Sequence, residues 1–149
     1  YDLRERSPHE MSGGQQQRVA IAAVLAMKPE IIVLDEPTSF LDPVSAEKIF
    51  EVIHEFNKKL AITVVLVEHR LDLTAKYADH IIIMDEGKVR FDGGTREVLS
   101  NEETRLIGVG IPKATLLYEM LRKDGAKLGN ATPLSSDELA KMLLEAIHN

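Results

Sequence analysis

The sequence predicts an α/β fold with a mostly parallel sheet, flanking helices and a small helical extension at its C-terminal end. Residues 31–34 and 62–67 are aliphatic runs, rich in β-branched side chains and too short for helices, as strands of a parallel sheet buried on both faces are. Residues 43–60 lie between them and repeat apolar side chains at helical spacing. Together these segments predict a mostly parallel sheet with flanking helices.

Composition fits one globular domain and excludes several classes of function. The chain has 149 residues with 44% apolar content, enough to bury a core. A formal net charge of −6 argues against a nucleic-acid-binding surface, and we expect no nucleic-acid partner. With no cysteine, neither a disulfide framework nor a thiolate metal site is possible. No apolar run approaches the roughly 20 residues that a membrane-spanning helix needs.

The first predicted helix covers residues 14–27. Ser12 is a good N-cap, and Lys28-Pro29 ends the helix. Its many aliphatic residues predict that it is largely buried. The Ser-Gly-Gly opening leaves N–H donors at the positive end of the helix dipole, which suits a phosphate. Taken alone, these residues are better explained by an ordinary capped helix with a flexible lead-in.

Two adjacent acids, Asp35 and Glu36, follow the first strand, and Pro37 then ends the ladder. The carboxyl end of a strand is where open α/β sheets bind their ligands. Side chains of neighbouring strand residues point to opposite sides, so the two acids are expected to have different tasks. Asp35 suits Mg²⁺, and Glu36 could polarise a water that attacks a phosphoryl group. The alternative is that both acids merely open the next turn or cap the following helix.

The second strand ends in Glu68-His69-Arg70. His69 is therefore expected at the same edge of the sheet as Asp35 and Glu36. Asp42-Pro43 begins the helix between the strands in the usual way, with Asp42 as cap.

The rest of the chain is predicted to alternate short elements. A helix over residues 71–77 precedes a strand over 81–84 and its return strand over 89–91, which Gly93-Gly94 breaks before a helical turn at 96–99. Residues 107–112 read as an irregular connector. Two amphipathic helices follow, with Ser135 or Ser136 as the cap of the second. Their predicted apolar faces are Leu116, Leu117, Met120 and Leu121, then Leu139, Met142, Leu143 and Ile147.

Four of these segments, in this order, resemble the motifs of the ATP-binding cassette (ABC) ATPases. Residues 11–15, Met-Ser-Gly-Gly-Gln, are similar to the signature motif, with Met in place of the usual Leu. Residues 31–36 resemble the Walker B strand and its glutamate, and residues 39–42 resemble the D-loop. His69 falls where the family has its switch histidine. The resemblance implies the C-terminal part of a P-loop NTPase cassette over residues 1–100, with residues 101–149 as the helical extension.

The resemblance also implies roles for individual residues, with ATP and Mg²⁺ as the cofactors. Asp35 is expected to hold Mg²⁺ through water, Glu36 to act as general base and His69 to contact the γ-phosphate. The remaining implied residues bind an ATP held by a second ABC ATPase subunit: Ser12, Gly13, Gly14, Gln15 and Asp42. Transmembrane subunits are implied as further partners, which would place the chain at the cytoplasmic face of the cell membrane.

One element of the family does not occur in these residues. No G-x-x-x-x-G-K-[ST] phosphate loop is present, because Lys28, Lys48 and Lys88 lack its glycines. We therefore expect the chain to be inactive as an ATPase by itself, and to be a fragment or a truncated gene product rather than a deliberately split subunit.

A finer resemblance narrows the family, and two alternatives stay open. Residues 67–72 and the segments at 110–118 and 134–139 resemble energy-coupling-factor (ECF) ATPases, which serve vitamin and metal-ion uptake. The first alternative is a non-transport ABC protein acting in translation or DNA repair. The second is a catalytically inert fragment that only dimerises.

Overall fold

The computed structural model describes residues 7–147 and has the predicted α/β character. It divides into two compact units, a first that ends at His69 and a second that begins at Arg70. After a 3₁₀ turn at Pro8–Glu10, the first unit contains α1 (Gly13–Ala26), β1 (Ile31–Asp35), α2 (Pro43–Leu60) and β2 (Thr63–Val67). The second contains α3 (Leu71–Tyr77), β3 (His80–Asp85), β4 (Lys88–Gly94), α4 (Thr95–Ser100), α5 (Glu102–Leu106), α6 (Lys113–Lys123) and α7 (Ser136–Ile147).

In the first unit β1 and β2 are parallel, as predicted, and pair residue for residue from Ile31 with Thr63 to Asp35 with Val67. One face of this pair, with Ile32 and the partly buried Val64, packs against α1 and α2. The buried members of this core are Ile21, Leu25, Ile32, Ile49, Ile53 and Ile62. Helices cover only one face, so the alternate residues of both strands remain exposed.

The expectation that both strands are buried on two faces is therefore wrong for this chain. Val33 is 68% exposed and Val67 53% exposed. The same cause limits α1, in which Ile21 and Leu25 are buried while Val19 is 45% exposed. A helix beside a two-stranded sheet and one neighbouring helix can bury only one stripe of its surface.

Helix α2 begins as the sequence predicts, and the beginning is fixed by Asp42. Its Oδ1 accepts hydrogen bonds from the N–H groups of Val44 (3.1 Å) and Ser45 (3.0 Å), with Pro43 in the first turn. The helix ends where Ala61 turns into the left-handed region at φ 52°. Its capped start and defined end fix the length of the connection between the two parallel strands.

The second unit is built on the antiparallel hairpin of β3 and β4. Glu86 and Gly87 both have positive φ, 49° and 74°, as a tight hairpin turn requires. The strand continues through Gly93 and Gly94, which pair with Ile81 and His80, so the predicted break at these glycines is wrong. The core under the hairpin consists of Ala75, Ile81, Ile83, Val98, Leu99 and Leu134.

Charged side chains on α3 and α4 pair with carboxylates on α7, the last helix of the second unit. Arg96 on α4 makes a two-pronged pair with Glu138 on α7, at 2.8 and 2.9 Å, and Lys76 on α3 lies 3.3 Å from Asp137. The Ser135 hydroxyl accepts from the Glu138 N–H and caps α7. These contacts attach the tail to residues that precede it. The predicted domain boundary after residue 100 stays a prediction.

Helix α6 buries its predicted apolar face only in part, through Leu121. Leu116 and Leu117 are each 47% exposed and Met120 is 55% exposed, whereas Thr115 and Tyr118 are buried. The two buried side chains donate hydrogen bonds to the carbonyl oxygens of Pro133 (2.6 Å) and Gly129 (2.7 Å). These bonds let polar side chains enter the interior. No helix within residues 7–147 combines the length and apolar character needed to cross a bilayer.

The first prediction concerns the core of α2, where Ile49 is 1% exposed. We expect Ile49→Ala to lower the free energy of unfolding by about 2–5 kcal/mol, because the substitution removes buried methyl groups and leaves a cavity. Urea denaturation followed by circular dichroism measures this. Val44→Ala, on the same helix at a residue 63% exposed, is the control and should change stability by less than about 0.5 kcal/mol. Equal effects of the two variants would contradict the assigned core.

The second prediction concerns Glu138. Partial burial raises the pKa of this carboxyl, but the hydrogen bonds from Arg96 and the Leu134 N–H outweigh it and hold the pKa below its ordinary value of 4.5. Because the folded-state pKa is lowered, the ionised carboxylate stabilises the fold above pH 4.5, and that stabilisation is lost as the pH falls through the lowered value. Both side chains are substantially exposed, so we expect Glu138→Gln to cost at most about 1 kcal/mol at pH 7.

Urea denaturation at pH 7 and at pH 3 checks this expectation. The difference between wild type and Glu138→Gln should shrink at the lower pH, whereas Val44→Ala, which changes no titratable group, should have the same effect at both pH values. A difference that grew on acidification would have the wrong sign.

Candidate functional site

The carboxyl ends of β1 and β2 meet at one edge of the parallel pair. Asp35 is paired with Val67, and the N–H of the next residue, Glu36, donates to the Val67 carbonyl at 2.9 Å. His69 follows β2 by two residues, and its Nδ1 lies 3.9 Å from Glu36 Oε1. The Glu36 and His69 side chains are 53% and 61% exposed. The structure therefore brings these two predicted residues together at an edge that solvent can reach.

Glu36 has a left-handed backbone with φ 44°, which is unusual for a residue other than glycine. The strand thus ends at Asp35, and Glu36 is not part of it. The expectation that the two side chains point to opposite sides because they are neighbours on a strand is therefore wrong. The left-handed turn itself redirects the chain. Ser39 supports the turn, because its N–H and its hydroxyl both donate to the Glu36 carbonyl oxygen, at 3.2 and 3.1 Å.

A third acid at this edge, Glu68, was not singled out from the sequence. Its side chain is only 1% exposed, and it accepts a hydrogen bond from the hydroxyl of Thr38, which is fully buried. Its Oε2 also accepts from the His69 N–H at 2.8 Å. The only sequence signal was its place beside His69 at the end of a strand. The partnership with Thr38, 30 residues away, had no signal at all.

The serine-glycine opening of α1 forms a complete capping box. The Gln15 N–H donates to Ser12 Oγ at 3.3 Å, and the Ser12 N–H donates to Gln15 Oε1 at 2.9 Å. Gly13 and Gly14 occupy the first helical turn, where a helix offers no acceptor for its N–H groups. Ser12 and Gly13 are exposed, so this turn is not covered by side chains of its own unit.

Neither glycine of this turn is required by the packing around it. A side-chain carbon added to Gly13 would meet nothing within 4 Å, and one added to Gly14 would lie 3.6 Å from Leu41 Cδ2, an ordinary contact. Neither has a positive φ. The local structure therefore does not require glycine at either position. A ligand that must approach the backbone closely would require it, because any side chain would be in the way.

Asp42 lies just before α2, where the structure gives it a capping role. The pKa of its carboxyl is lowered, chiefly by the hydrogen bond from the Ser45 side chain and also by the Ser45 N–H. The structure thus accounts for Asp42 without a nucleotide, and its predicted role in cofactor binding stays a prediction.

A magnesium ion would have to be bound at Asp35 with few protein ligands. Among the described residues, no three His, Cys, Asp or Glu side chains are grouped so as to hold a metal ion. Mg²⁺ commonly keeps several waters and uses one or two carboxylates together with substrate phosphates. The exposed carboxylate of Asp35, at the end of β1, fits that mode.

Comparison with known proteins agrees with this geometry. The model of the ABC transporter family matches residues 1–39. The chain is 42% identical, over 97% of its length, to the energy-coupling factor transporter ATP-binding protein EcfA1 of Clostridium perfringens, and covers 51% of that protein. It is 46% identical, over 81% of its length, to EcfA of Methanocaldococcus jannaschii, of which it covers 43%. The chain thus spans about half the length of the curated relatives it matches.

Solved structures give the same assignment. CbiO1 of Clostridium perfringens, described as part of the ABC transporter complex cbiONQ, superposes with a TM-score of 0.64 at 37% identity, over 79% of this chain and 47% of that one. A nucleotide-free ATP-binding cassette from an ABC transporter superposes with a TM-score of 0.65 at 34% identity, over 73% and 44%. The predicted α/β cassette fold is thereby confirmed. The chain therefore matches part of the ATP-binding domain of the ABC transporter family.

Proposed function

We propose that this chain forms part of the ATP-hydrolysing subunit of an ABC-type importer that drives uptake of a vitamin or a metal ion. The observation that carries the proposal is the pairing of Glu36 and His69, 3.9 Å apart, at one exposed edge of a parallel sheet. Phosphoryl transfer to water needs positioning and charge stabilisation more than covalent chemistry, and a carboxylate beside an imidazole can supply both. The names of the energy-coupling factor relatives support the transport assignment.

In this proposal the three residues at the sheet edge have separate tasks. Glu36 accepts a proton from the attacking water or orients it, and His69 donates a hydrogen bond to the γ-phosphate of ATP. Asp35 holds Mg²⁺ through water. Mg²⁺, when bound, neutralises the charge that builds up on the phosphate oxygens.

The opening of α1 is proposed to serve a different ATP molecule, one held by a second ABC ATPase subunit. The N–H groups of Gly13 and Gly14, at the positive end of α1, would bind the γ-phosphate together with Ser12 and Gln15. Asp42 would lie near the same nucleotide. Closure of two such subunits around ATP, and reopening after hydrolysis, would move transmembrane partners to which the chain binds at the cytoplasmic face of the membrane.

A reconstitution experiment tests the enzymatic proposal. The chain is mixed with, and separately fused to, the half of Clostridium perfringens EcfA1 that it does not match, which should carry the phosphate loop. We expect ATP hydrolysis from the reconstituted protein, none from the chain alone, and a loss of at least about 100-fold in kcat in Glu36→Gln, because a general base is removed. Release of inorganic phosphate is measured.

Glu30→Gln is the matched control, since it makes the same chemical change just before the opposite end of β1. It should leave turnover unchanged. If neither the mixture nor the fusion hydrolyses ATP, the proposal fails and the alternative of a catalytically inert fragment is supported.

A second experiment tests the α1 opening. Because Gly13 has free space around it and no positive φ, Gly13→Ala should change the free energy of unfolding by less than about 1 kcal/mol. The added methyl group should nevertheless block close approach of a phosphate. We expect the ATPase rate of the fusion to fall at least about 10-fold, which corresponds to a loss of about 1.4 kcal/mol of transition-state binding.

Gly94→Ala is the control, since the space around Gly94 is equally open and its φ is −60°. It should alter neither stability nor rate appreciably. Full activity in Gly13→Ala would remove the α1 opening from the proposed site.

A further inference from the structure

We propose that Glu68 is a positioning residue of the hydrolytic site, which holds the loop after β1 and the chain after β2 at a fixed separation. Its carboxylate hydrogen-bonds to both segments, to Thr38 on one side and to His69 on the other. The inference rests on the proposed function, because it concerns how Glu36 and His69 are kept together for hydrolysis.

The first support is the burial of this carboxylate. The Glu68 side chain is 1% exposed and Thr38 is 0% exposed, so their hydrogen bond is shielded from water. A buried ionisable group is costly unless its hydrogen bonds are satisfied, and an apolar residue would be cheaper for packing alone. A carboxylate at this position therefore indicates a specific geometric task. Its burial also excludes it as the base that meets the attacking water.

The second support is the nature of its contact with His69. The backbone N–H of His69 donates to Glu68 Oε2 at 2.8 Å, a good hydrogen bond, whereas the imidazole Nδ1 is 3.7 Å from the same oxygen, too far for one. Glu68 thus fixes the main chain of His69 and leaves the ring available to a ligand. This is the behaviour of a residue that places another, rather than of a partner in a proton relay.

The connection from Thr38 to Glu36 is short and stiff. Only Pro37 separates the two residues, and its ring fixes one backbone angle. The Leu41 N–H donates to the Thr38 carbonyl at 3.1 Å, and Ser39 closes the turn on Glu36. An anchor at Thr38 therefore restricts where the Glu36 backbone lies, and so the point from which its carboxylate side chain extends. A displacement of about 1 Å in such a group can cost on the order of 100-fold in rate.

The kinetic test uses the reconstituted fusion with two variants of one residue. Glu68→Leu removes both acceptor oxygens and should lower kcat about 10- to 100-fold with KM for ATP changed less than about 2-fold, since orientation rather than binding is lost. Glu68→Gln keeps the shape, and its carbonyl oxygen can accept from the His69 N–H while its amide donates to the Thr38 hydroxyl. It should restore kcat to within about 3-fold of wild type.

Asn57→Leu is the matched control for a purely structural loss. Asn57 donates a part-buried hydrogen bond from its side chain to the Ile62 carbonyl at 2.8 Å, within the same unit but before the start of β2. It should leave kcat near the wild-type value. If Asn57→Leu lowers kcat as much as Glu68→Leu, or if Glu68→Leu leaves kcat unchanged, Glu68 has no positioning role.

A measurement without ATP separates this inference from the proposed function. In the full 149-residue chain, amide hydrogen exchange is compared between wild type and Glu68→Leu by NMR. Exchange of the amide protons of His69, Ser39 and Leu41 should accelerate at least about 10-fold relative to those of β2, as local opening would produce. A uniform acceleration across the unit would overturn the inference. A fusion without ATPase activity would instead overturn the proposed function, while the exchange result still decides the role of Glu68.

Discussion

The in-register parallel pairing of β1 with β2 is the constraint on which the candidate site depends. Because Asp35 lies opposite Val67, the residues that follow the two strands emerge at the same height and at the same edge. A slip of one residue would turn the core-facing side chains of a strand outward and separate Glu36 from His69. Parallel pairing needs a crossover between the strands, so the length of α2, from its Asp42 cap to its end before Ala61, is part of the same constraint.

Two sets of hydrogen bonds add to the strand pairing in fixing the backbone near Glu36 and His69. Ser39 holds the carbonyl of Glu36 in the turn that ends β1, and Glu68 links the segments that follow the two strands. Both work through the backbone and leave the Glu36 carboxylate and the His69 ring exposed. The edge therefore combines a buried, hydrogen-bonded support with accessible chemical groups, as a site that must bind and release a charged ligand requires.

Local signals in the sequence predicted much of the fold, because they depend on near neighbours. The cap and proline at residues 42–43, the aliphatic runs and the turn before Lys88 each gave an element with nearly its observed bounds. Burial was predicted poorly, since it depends on what packs against each face. Val33 is exposed because α1 and α2 pack on the other face of its strand, and Tyr118 is buried with a hydrogen bond to Gly129. At the site, the common edge of Glu36 and His69 followed from strand order. The support from Glu68 could not, because its partner Thr38 is adjacent only after folding.

The left-handed backbone at Glu36 affects which amino acid is most stable at this position. A side chain with a β-carbon is disfavoured there by about 1 kcal/mol, so stability alone would favour glycine. A long acidic side chain at this point makes the fold slightly weaker than it could be. Under the proposed function, stability and chemistry therefore oppose each other at position 36, because glycine would relax the backbone but would remove the carboxylate.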